Sequence, residues 1–245
     1  MEVTKMRLDK FIVDSGLATR SEVGRAVRAC QVSVNGKTVR RPSGHIDPTC
    51  DTVTFCGQTV VYREFTYIML NKPQGYVSAR TDDKSPTILE LLPEELRRID
   101  LFPCGRLDKN TLGLMILTNN GPLAHKLLAP KNHVDKKYRF TVKFPLSLEA
   151  VAALESGVDI GGYFTAPCKV EMLNDVNGFI TLTEGKYHQI KLMAEAVHNQ
   201  ITYLERVTFG PISLDTTLER GEWRHLNEAE QAALEERGAQ RTQPQ

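Results

Sequence analysis

Residues 101–117 read LFPCGRLDKNTLGLMIL, and this stretch decides how most of the chain is expected to fold. Two apolar runs, at 101–102 and 114–117, flank a glycine-containing segment that carries Arg106 and Asp108. Apolar runs separated in this way are typical of two strands joined by a tight loop. Such a loop at a sheet edge can present a carboxylate to a ligand. By itself, a surface Arg–Asp pair that solvates the turn is the simpler interpretation, so the meaning of Asp108 depends on the rest of the chain.

The composition is that of an ordinary globular protein. The chain has 245 residues, 41% of them hydrophobic and 25% charged, which leaves room for one large domain or two small ones. No run of about 18 apolar residues occurs, and the first ten residues lack the apolar core of a signal peptide. The five cysteines have no metal-site spacing, so reduced thiols are expected. These features predict a cytoplasmic protein without a membrane span or a metal centre.

The N-terminal quarter predicts a pair of helices followed by a small sheet. Residues 8–12 have the apolar spacing of a helix, and Thr19 with Glu22 forms a capping box that begins a second one. The dipeptide at 35–36 is Asn-Gly between two short alternating runs, which predicts a type I′ hairpin. Residues 51–61 add further strand. The whole forms a module of about 60 residues.

This module is locally basic. Residues 1–62 carry nine Lys or Arg against six Asp or Glu, a balance of +3, whereas the whole chain has a net charge of +1. A small basic excess favours a polyanionic partner, although the same charges can simply solvate a small domain. The candidate phosphate contacts are Arg7, Arg20, Arg25, Arg28, Lys37, Arg40 and Arg41.

The remainder of the chain predicts a second, larger module of α+β class. Its strands outnumber its helices, and few intervals are long enough for a parallel crossover, so we expect a mixed, mainly antiparallel sheet with flanking helices. In the alternating run at 138–144, four aromatic or aliphatic side chains are expected to share one face. Strands are predicted at 67–70, 114–117, 138–144, 179–182 and 201–209, and helices near 87–92, 121–128, 186–193 and after Asn227.

Several motifs together resemble two known families. The segments at 7–11, 16–22 and 32–36 resemble the S4 domain and cover most of residues 6–52. The segments at 70–77 (LNKPQGYV), 105–114 and 184–191 (EGKYHQIK) are similar to the pseudouridine synthases, and the S4 module places the resemblance in their RsuA group. The resemblance covers roughly residues 6–228. It implies an S4-like RNA-binding domain at 1–62, a catalytic domain at 63–238 and a disordered tail at 239–245.

The resemblance also implies an activity, which is the isomerisation of uridine to pseudouridine in ribosomal RNA, with 16S RNA or a small-subunit assembly intermediate as the expected partner. It implies a monomer, and it implies no cofactor because isomerisation needs neither a redox partner nor a group donor. Asp108 is the implied catalytic carboxylate, with Lys191 as its ion-pair partner. Arg106 is implied to replace the flipped base and Tyr138 to pack under the uracil. Further implied RNA contacts are Lys72, Lys186, His188 and Gln189.

Some alternatives stay open at the level of sequence. Tyr138 can be one more core aromatic and Lys191 an exposed helix lysine. The same motifs serve a synthase acting on 23S RNA, or a non-catalytic RNA-binding or assembly protein with a retired site. A glycosidase-like hydrolase normally uses two carboxylates, and only the distant Glu184 offers a second one. The chain also departs from the family pattern at three positions, which are Leu112 (usually Ser or Thr), Lys186 (commonly Arg) and Leu192 (commonly basic).

Overall fold

The computed structural model describes residues 5–129 and 132–239, which fall into two compact units. The first comprises Met1–Thr66 with Leu92–Leu101, and the second comprises Tyr67–Leu91 with Phe102–Gln245. The predicted domain boundary at 62/63 lies a few residues before the structural one. The predicted tail begins at residue 239, which still ends the last helix, and residues 240–245 lie outside the described residues.

The N-terminal unit confirms the predicted helix pair and small sheet. Thr19 Oγ1 accepts a hydrogen bond from the backbone N–H of Glu22 (3.3 Å), and Glu22 Oε2 accepts one from the N–H of Thr19 (2.7 Å), which is the predicted capping box. A two-stranded sheet pairs β1 with β4, and a second sheet has the order β3-β2-β5-β6. The elements are β1 Met6–Arg7, α1 Leu8–Asp14, α2 Arg20–Arg28, β2 Val32–Val34, β3 Lys37–Thr38, β4 His45–Ile46, β5 Val53–Phe55, β6 Gln58–Thr59 and α3 Glu94–Arg98.

The predicted hairpin turn joins β2 to β3. Asn35 and Gly36 have φ values of 50° and 74°, the pair of left-handed residues that a type I′ turn requires. Beneath the turn, apolar side chains of α1, α2 and the small sheet form one buried cluster that includes Leu8, Ile12 and Val23. Burial of this apolar stripe is what stabilises helices as short as α1 and α2.

The C-terminal unit is built on a nine-stranded sheet with the order β11-β12-β10-β13-β9-β7-β15, while β14 pairs with β13 and β8 with β9. The β9–β13 pair is parallel and the other described pairs of this sheet are antiparallel, which confirms the mixed, mainly antiparallel prediction. The strands are β7 Tyr67–Lys72, β8 Phe102–Pro103, β9 Leu112–Thr118, β10 Lys136–Val142, β11 Lys169–Met172, β12 Asn177–Leu182, β13 Ile201–Phe209, β14 Ile212–Ser213 and β15 Trp223–His225.

Among the described residues, four α-helices and a 3-10 turn at 88–91 accompany this sheet. None of the helices in the described ranges is both long and apolar enough to cross a membrane. Tyr67 on β7 donates to Glu235 Oε1 on the last helix and accepts from the Asn120 side chain that caps the first one, each at 2.9 Å. These bonds attach two helices to a central strand. The bounds are Ile88–Leu91 (3-10), α4 Gly121–Leu128, α5 Leu148–Ser156, α6 Gln189–Ala196 and α7 Glu228–Ala239.

One detail of the predicted alternation is wrong. Tyr138, Phe140 and Val142 are buried on one face of β10 as expected, but Phe144 is 53% exposed. The strand ends at Val142, and the side-chain amide of Asn199 bonds both the N–H (3.2 Å) and the carbonyl (2.8 Å) of Phe144. Because these backbone groups leave the sheet ladder, the period-two pattern no longer sets the direction of the side chain.

Gly113 permits the parallel contact between β9 and β13. Its φ is 95°, and it lies opposite Arg206 in the β9–β13 register. A Cβ at this position would lie 2.3 Å from the Arg206 carbonyl oxygen and 2.7 Å from Glu205 Cγ. A residue with a side chain would therefore be strained in this backbone conformation and would clash with β13.

We predict that Gly113→Ala lowers the free energy of unfolding by at least about 2 kcal/mol, since it combines backbone strain with overpacking. Denaturant unfolding measures this change. Gly121→Ala is the control, because Gly121 has no positive φ and no atom near its missing Cβ. An equal effect of the two substitutions would contradict the close-approach account.

Candidate active site

Asp108 lies in the loop between β8 and β9, on a cleft of about 750 Å³ within the C-terminal unit. The flanking strands pair in antiparallel fashion, Phe102 with Thr118 and Pro103 with Leu117, which confirms the predicted strand–loop–strand unit. Loop residues 105–109 all line the cleft. The scaffold therefore presents the Asp108 carboxylate to a space large enough for a nucleotide.

The end of β7 and the segment that follows it hold this loop in place. The Lys72 ammonium donates to the carbonyls of Pro73 (3.0 Å), Lys109 (3.2 Å) and Thr111 (2.9 Å). Ser78 Oγ donates to the Leu107 carbonyl (2.9 Å) and accepts from its N–H (3.1 Å). Both residues on either side of Asp108 are thereby fixed through their backbones, which limits the positions that the carboxylate can take.

Two side chains of the α6 region meet the Asp108 carboxylate. Lys191 Nζ lies 2.5 Å from Oδ2, and His188 Nε2 lies 3.5 Å from Oδ1. The Asp108 side chain is 26% exposed, so the pair is partly shielded from water. The simpler interpretation of Asp108, a surface pair with Arg106, does not describe its contacts.

The loop before α6 is fixed by Glu184. Its Oε1 accepts from Gln189 Nε2 (2.6 Å) and from the N–H of Ala166 (3.0 Å), and its Oε2 accepts from the Tyr163 hydroxyl (2.7 Å). Gln189 Oε1 in turn accepts from the N–H of Lys186 (2.9 Å). This network sets the start of the helix that carries Lys191. Both carboxylate oxygens of Glu184, the residue considered above as the second acid of a hydrolase, are therefore already hydrogen-bonded.

Strands β10 and β13 supply another wall of the cleft, which we call the strand wall and define by Lys136, Tyr138, Leu204 and Arg206. Tyr138 and Arg206 are directly opposite each other in the β10–β13 register, so their side chains leave the sheet on the same side. Tyr138 is buried, and its hydroxyl has no hydrogen-bond partner among the described residues. An aromatic ring and two cations therefore face the space beside Asp108.

Burial changes the titration of two lysines, Lys72 at the loop of Asp108 and Lys136 on the strand wall. It lowers the pKa of Lys72 to about 8, with the nearby Asp108 charge opposing the shift and Lys191 adding to it. Burial likewise lowers the pKa of Lys136 to about 8, and the neighbouring Arg206 charge contributes. Among the described residues, the cleft lining itself carries six Lys or Arg side chains against three Asp or Glu.

The structure corrects two of the predicted RNA contacts. Lys72 is 0% exposed and its ammonium bonds three backbone carbonyls, so it is a support of the catalytic loop and has no surface to offer a phosphate. Gln189 is also buried, with its amide held by Glu184 and Lys186. Polar residues within a motif suggested ligand contacts, but long-range packing encloses both side chains.

The other predicted contacts lie at accessible positions. Arg106 and Lys186 are exposed on the cleft, and His188 is half-buried beside Asp108. Tyr187 is exposed and stacks on His188 with ring centroids 3.9 Å apart. In the N-terminal unit the predicted cations are all exposed, namely Arg7, Arg20, Arg25, Arg28, Lys37, Arg40 and Arg41.

Sequence reasoning missed Lys136, Arg206 and Ser78. The available signal was the strand period, because Arg206 lies two residues after Leu204 on a predicted strand and Lys136 lies two residues before Tyr138, where the other predicted strand began. A charged residue on the inward face of a strand is unusual enough to mark a candidate site. Ser78 had no comparable signal.

All five cysteines, each in the described part of the chain, are free thiols. In residues 5–129 and 132–239, no group of three or more His, Cys, Asp or Glu side chains is arranged to hold a metal ion.

Comparison with known proteins relates both units to families. The profile of the RNA pseudouridylate synthase family matches residues 66–196, and that of the S4 domain matches residues 6–53. A protein of Bacillus subtilis named uncharacterized RNA pseudouridine synthase YtzG is 47% identical, over 94% of this chain and 99% of its own. The ribosomal small subunit pseudouridine synthase A of Haemophilus influenzae is 38% identical, over 92% of this chain and 97% of its own.

A solved structure agrees with these relatives. A crystal structure of a pseudouridylate synthase superposes with a TM-score of 0.66 at 37% identity, covering 94% of this chain and 99% of that one. The residues that the pseudouridylate synthase profile matches, 66–196, include Lys72, the loop of Asp108 and the first turn of α6. The chain is therefore a member of the RNA pseudouridylate synthase family, with an S4 domain in its N-terminal part.

Proposed function

We propose that this protein converts a uridine of small-subunit (16S) ribosomal RNA into pseudouridine, with Asp108 as the catalytic carboxylate. The observation that carries the proposal is the Asp108–Lys191 pair, 2.5 Å apart at a cleft that Tyr138 and Arg106 also line. The name of the Haemophilus influenzae relative supports the choice of RNA, since that protein is a ribosomal small subunit synthase.

The reaction rearranges bonds within one nucleotide. The N1–C1′ bond breaks, the uracil turns, and a C5–C1′ bond forms; C5 loses a proton and N1 gains one. The net change is an isomerisation, so neither an oxidant nor a group donor enters the balance. Asp108 must be ionised to act as a nucleophile, and its carboxylate lies 2.5 Å from the Lys191 ammonium in a partly buried site.

The target uridine has to leave its stack to reach Asp108, because a base inside a helix presents neither C1′ nor C6 to a side chain. Arg106, exposed on the same loop, is suited to fill the space that the uridine vacates. The buried Tyr138 ring offers a flat surface for the extruded uracil, and its unpartnered hydroxyl is available for proton transfer. Lys186 and His188 are proposed to contact the flanking RNA.

The N-terminal unit is proposed to bind RNA through phosphate contacts. Its candidate cations are exposed, and Arg25 and Arg28 lie three residues apart on α2, so they share one helix face. Contacts of this kind position an RNA without distinguishing its sequence. We propose the ranges 1–62 and 63–238 as the binding and catalytic parts of the chain, acting as a monomer in the cytoplasm.

Three other functions have less support. A 23S RNA synthase would use the same cleft, and the relatives named for the small subunit favour 16S RNA instead. A retired, non-catalytic protein would have no reason to keep Asp108, Lys191 and Tyr138 together at one cleft. A hydrolase would need a second available carboxylate, and the cleft offers only Glu184 and Asp82 among its described lining residues. Glu184 is committed to three hydrogen bonds, and Asp82 Oδ1 accepts from the N–H groups of Lys84 and Ser85.

We predict that Asp108→Asn abolishes pseudouridine formation, lowering the rate at least about a thousandfold, because the amide is not a nucleophile. Affinity for a 16S RNA transcript should be nearly unchanged. Single-turnover assays and filter binding measure the two quantities. Asp83→Asn, at an exposed carboxylate outside the cleft lining, is the control and should retain activity. Parallel loss of binding and activity in the Asp108 variant would count against the assignment.

We predict that reversing the charges of Arg20, Arg25 and Arg28 to Glu weakens RNA binding most at low salt. Each lost phosphate contact should reduce the slope of log affinity against log salt by about 0.7 to 0.9. The matched control replaces the same three residues by Lys, which keeps the charge and should keep the slope. If the Glu variant retained both affinity and slope, the N-terminal unit would not be the RNA anchor.

We predict that the single-turnover rate falls as the pH rises through about 8, because Lys72 and Lys136 lose their charges there. Unfolding should not explain the fall. Both pKa values lie below the ordinary 10.5, so between about pH 8 and 10.5 these two lysines are more protonated in the unfolded chain than in the folded one. Their contribution to the free energy of unfolding therefore increases as the pH rises, which stabilises the folded protein. A rate that stays level or rises between about pH 7 and 9.5 would contradict the prediction.

A further inference from the structure

Arg206 is a buried cation without a counter-ion in the part of the chain that the structure describes. It is 1% exposed, and its Nε donates to the Leu114 carbonyl at 2.8 Å while Nη2 lies 3.9 Å from Met115 Sδ. Its guanidinium also lies over the Phe209 ring, 5.2 Å from the centroid. Among the described residues no carboxylate forms an ion pair with it. An uncompensated buried charge is costly to the folded protein, so its position calls for an explanation.

The third nitrogen of this guanidinium faces the cleft. Nη1 has no hydrogen-bond partner in the described part of the chain, and a Cβ placed on Gly105 would lie 3.9 Å from it. Within the described ranges, the only fully enclosed side-chain polar atom that lacks a partner is Thr111 Oγ1. Nη1 is therefore not enclosed, and both Arg206 and Gly105 line the cleft. The free N–H groups open onto the space that Asp108 faces.

The surroundings of Arg206 suit a planar ring. On the strand wall it lies opposite Tyr138 and near the apolar side chain of Leu204. Lys136 adds a second cation, held by the Val134 carbonyl at 2.9 Å and likewise without an ion-pair partner among the described residues. A phosphodiester carries its full charge throughout and is well served by exposed cations. A buried guanidinium beside apolar surface instead fits a group that is neutral on arrival and becomes anionic during the reaction.

We infer that Arg206 binds the uracil ring and stabilises the negative charge that the ring carries between bond breaking and bond formation. This inference rests on the proposed function. If Asp108 adds to C6, the C5–C6 electron pair moves onto O4; after C5 has bonded to C1′, loss of the C5 proton expels the Asp108 carboxylate from C6 and restores the C5–C6 double bond. If the N1–C1′ bond breaks first, its electron pair stays on the ring, shared by N1, O2 and O4. Both routes make the uracil anionic until C5 bonds to C1′, the C5 proton leaves and N1 is protonated.

The role of Arg206 is tested with Arg206→Met and Arg206→Lys. Loss of one preorganised donor should lower the single-turnover rate of the Met variant about 100-fold or more, with RNA affinity unchanged, and Lys should restore part of the rate. Arg224→Met is the control for losing a partly buried arginine, because Arg224 pairs with Asp215 and Glu230 outside the cleft lining. Provided that it folds, this control variant should keep the wild-type single-turnover rate.

A second substrate separates charge stabilisation from a structural role. In RNA carrying 5-fluorouridine, the fluorine itself stabilises negative charge on the ring. Either Arg206 substitution should therefore slow the consumption of 5-fluorouridine by a smaller factor than it slows the consumption of uridine. If Met does not fold, the Lys variant provides this comparison. The inference would be overturned if both substrates were slowed equally or if the single-turnover rate did not change. It would also be overturned by weaker RNA binding with a smaller slope of log affinity against log salt, because that result would assign Arg206 to a phosphate. An active Asp108→Asn enzyme would refute the proposed function separately.

Discussion

The ion pair between Asp108 and Lys191 is the interaction on which the rest of the site depends. It joins a loop to a helix that lies more than 80 residues later in the chain, and each partner needs its own support. Lys72 and Ser78 fix the backbone of the loop, while the Glu184–Gln189 network fixes the start of the helix. Since the carboxylate is partly buried, a displaced Lys191 would leave it without a paired charge.

Positive charge exceeds negative charge around this carboxylate. Besides Lys191, Lys136 and Arg206 line the cleft and Lys72 lies against the loop of Asp108. Burial lowers the pKa of Lys72 and of Lys136 to about 8. Such an arrangement opposes folding, because each buried cation has lost its hydration. Groups with this property concentrate at functional sites, where an anion forms or binds. The excess is consistent with a reaction in which negative charge develops on a bound base.

Local features of the fold followed from the sequence, because each has a short-range cause. The capping box at Thr19, the Asn35–Gly36 turn and the strand–loop–strand unit around Asp108 are all confirmed. Which side chains of the motifs are buried could not be predicted in this way. Lys72 was predicted to contact RNA, yet backbone carbonyls from a distant loop enclose its ammonium, and Arg206 acquires its place only when the parallel β9–β13 pairing forms. Contacts between distant segments decide both cases.

The proposed function is one chemical change in one RNA, and a pseudouridine map of both ribosomal RNAs detects that change. The map would be compared between cells that have the gene, cells that lack it, and deletion strains that carry either the wild-type or the Asp108→Asn gene. We expect a pseudouridine of 16S RNA to be lost on deletion and to return with the wild-type gene alone. An unchanged 16S map, a loss confined to 23S RNA, or restoration by the Asn variant would contradict the proposed function.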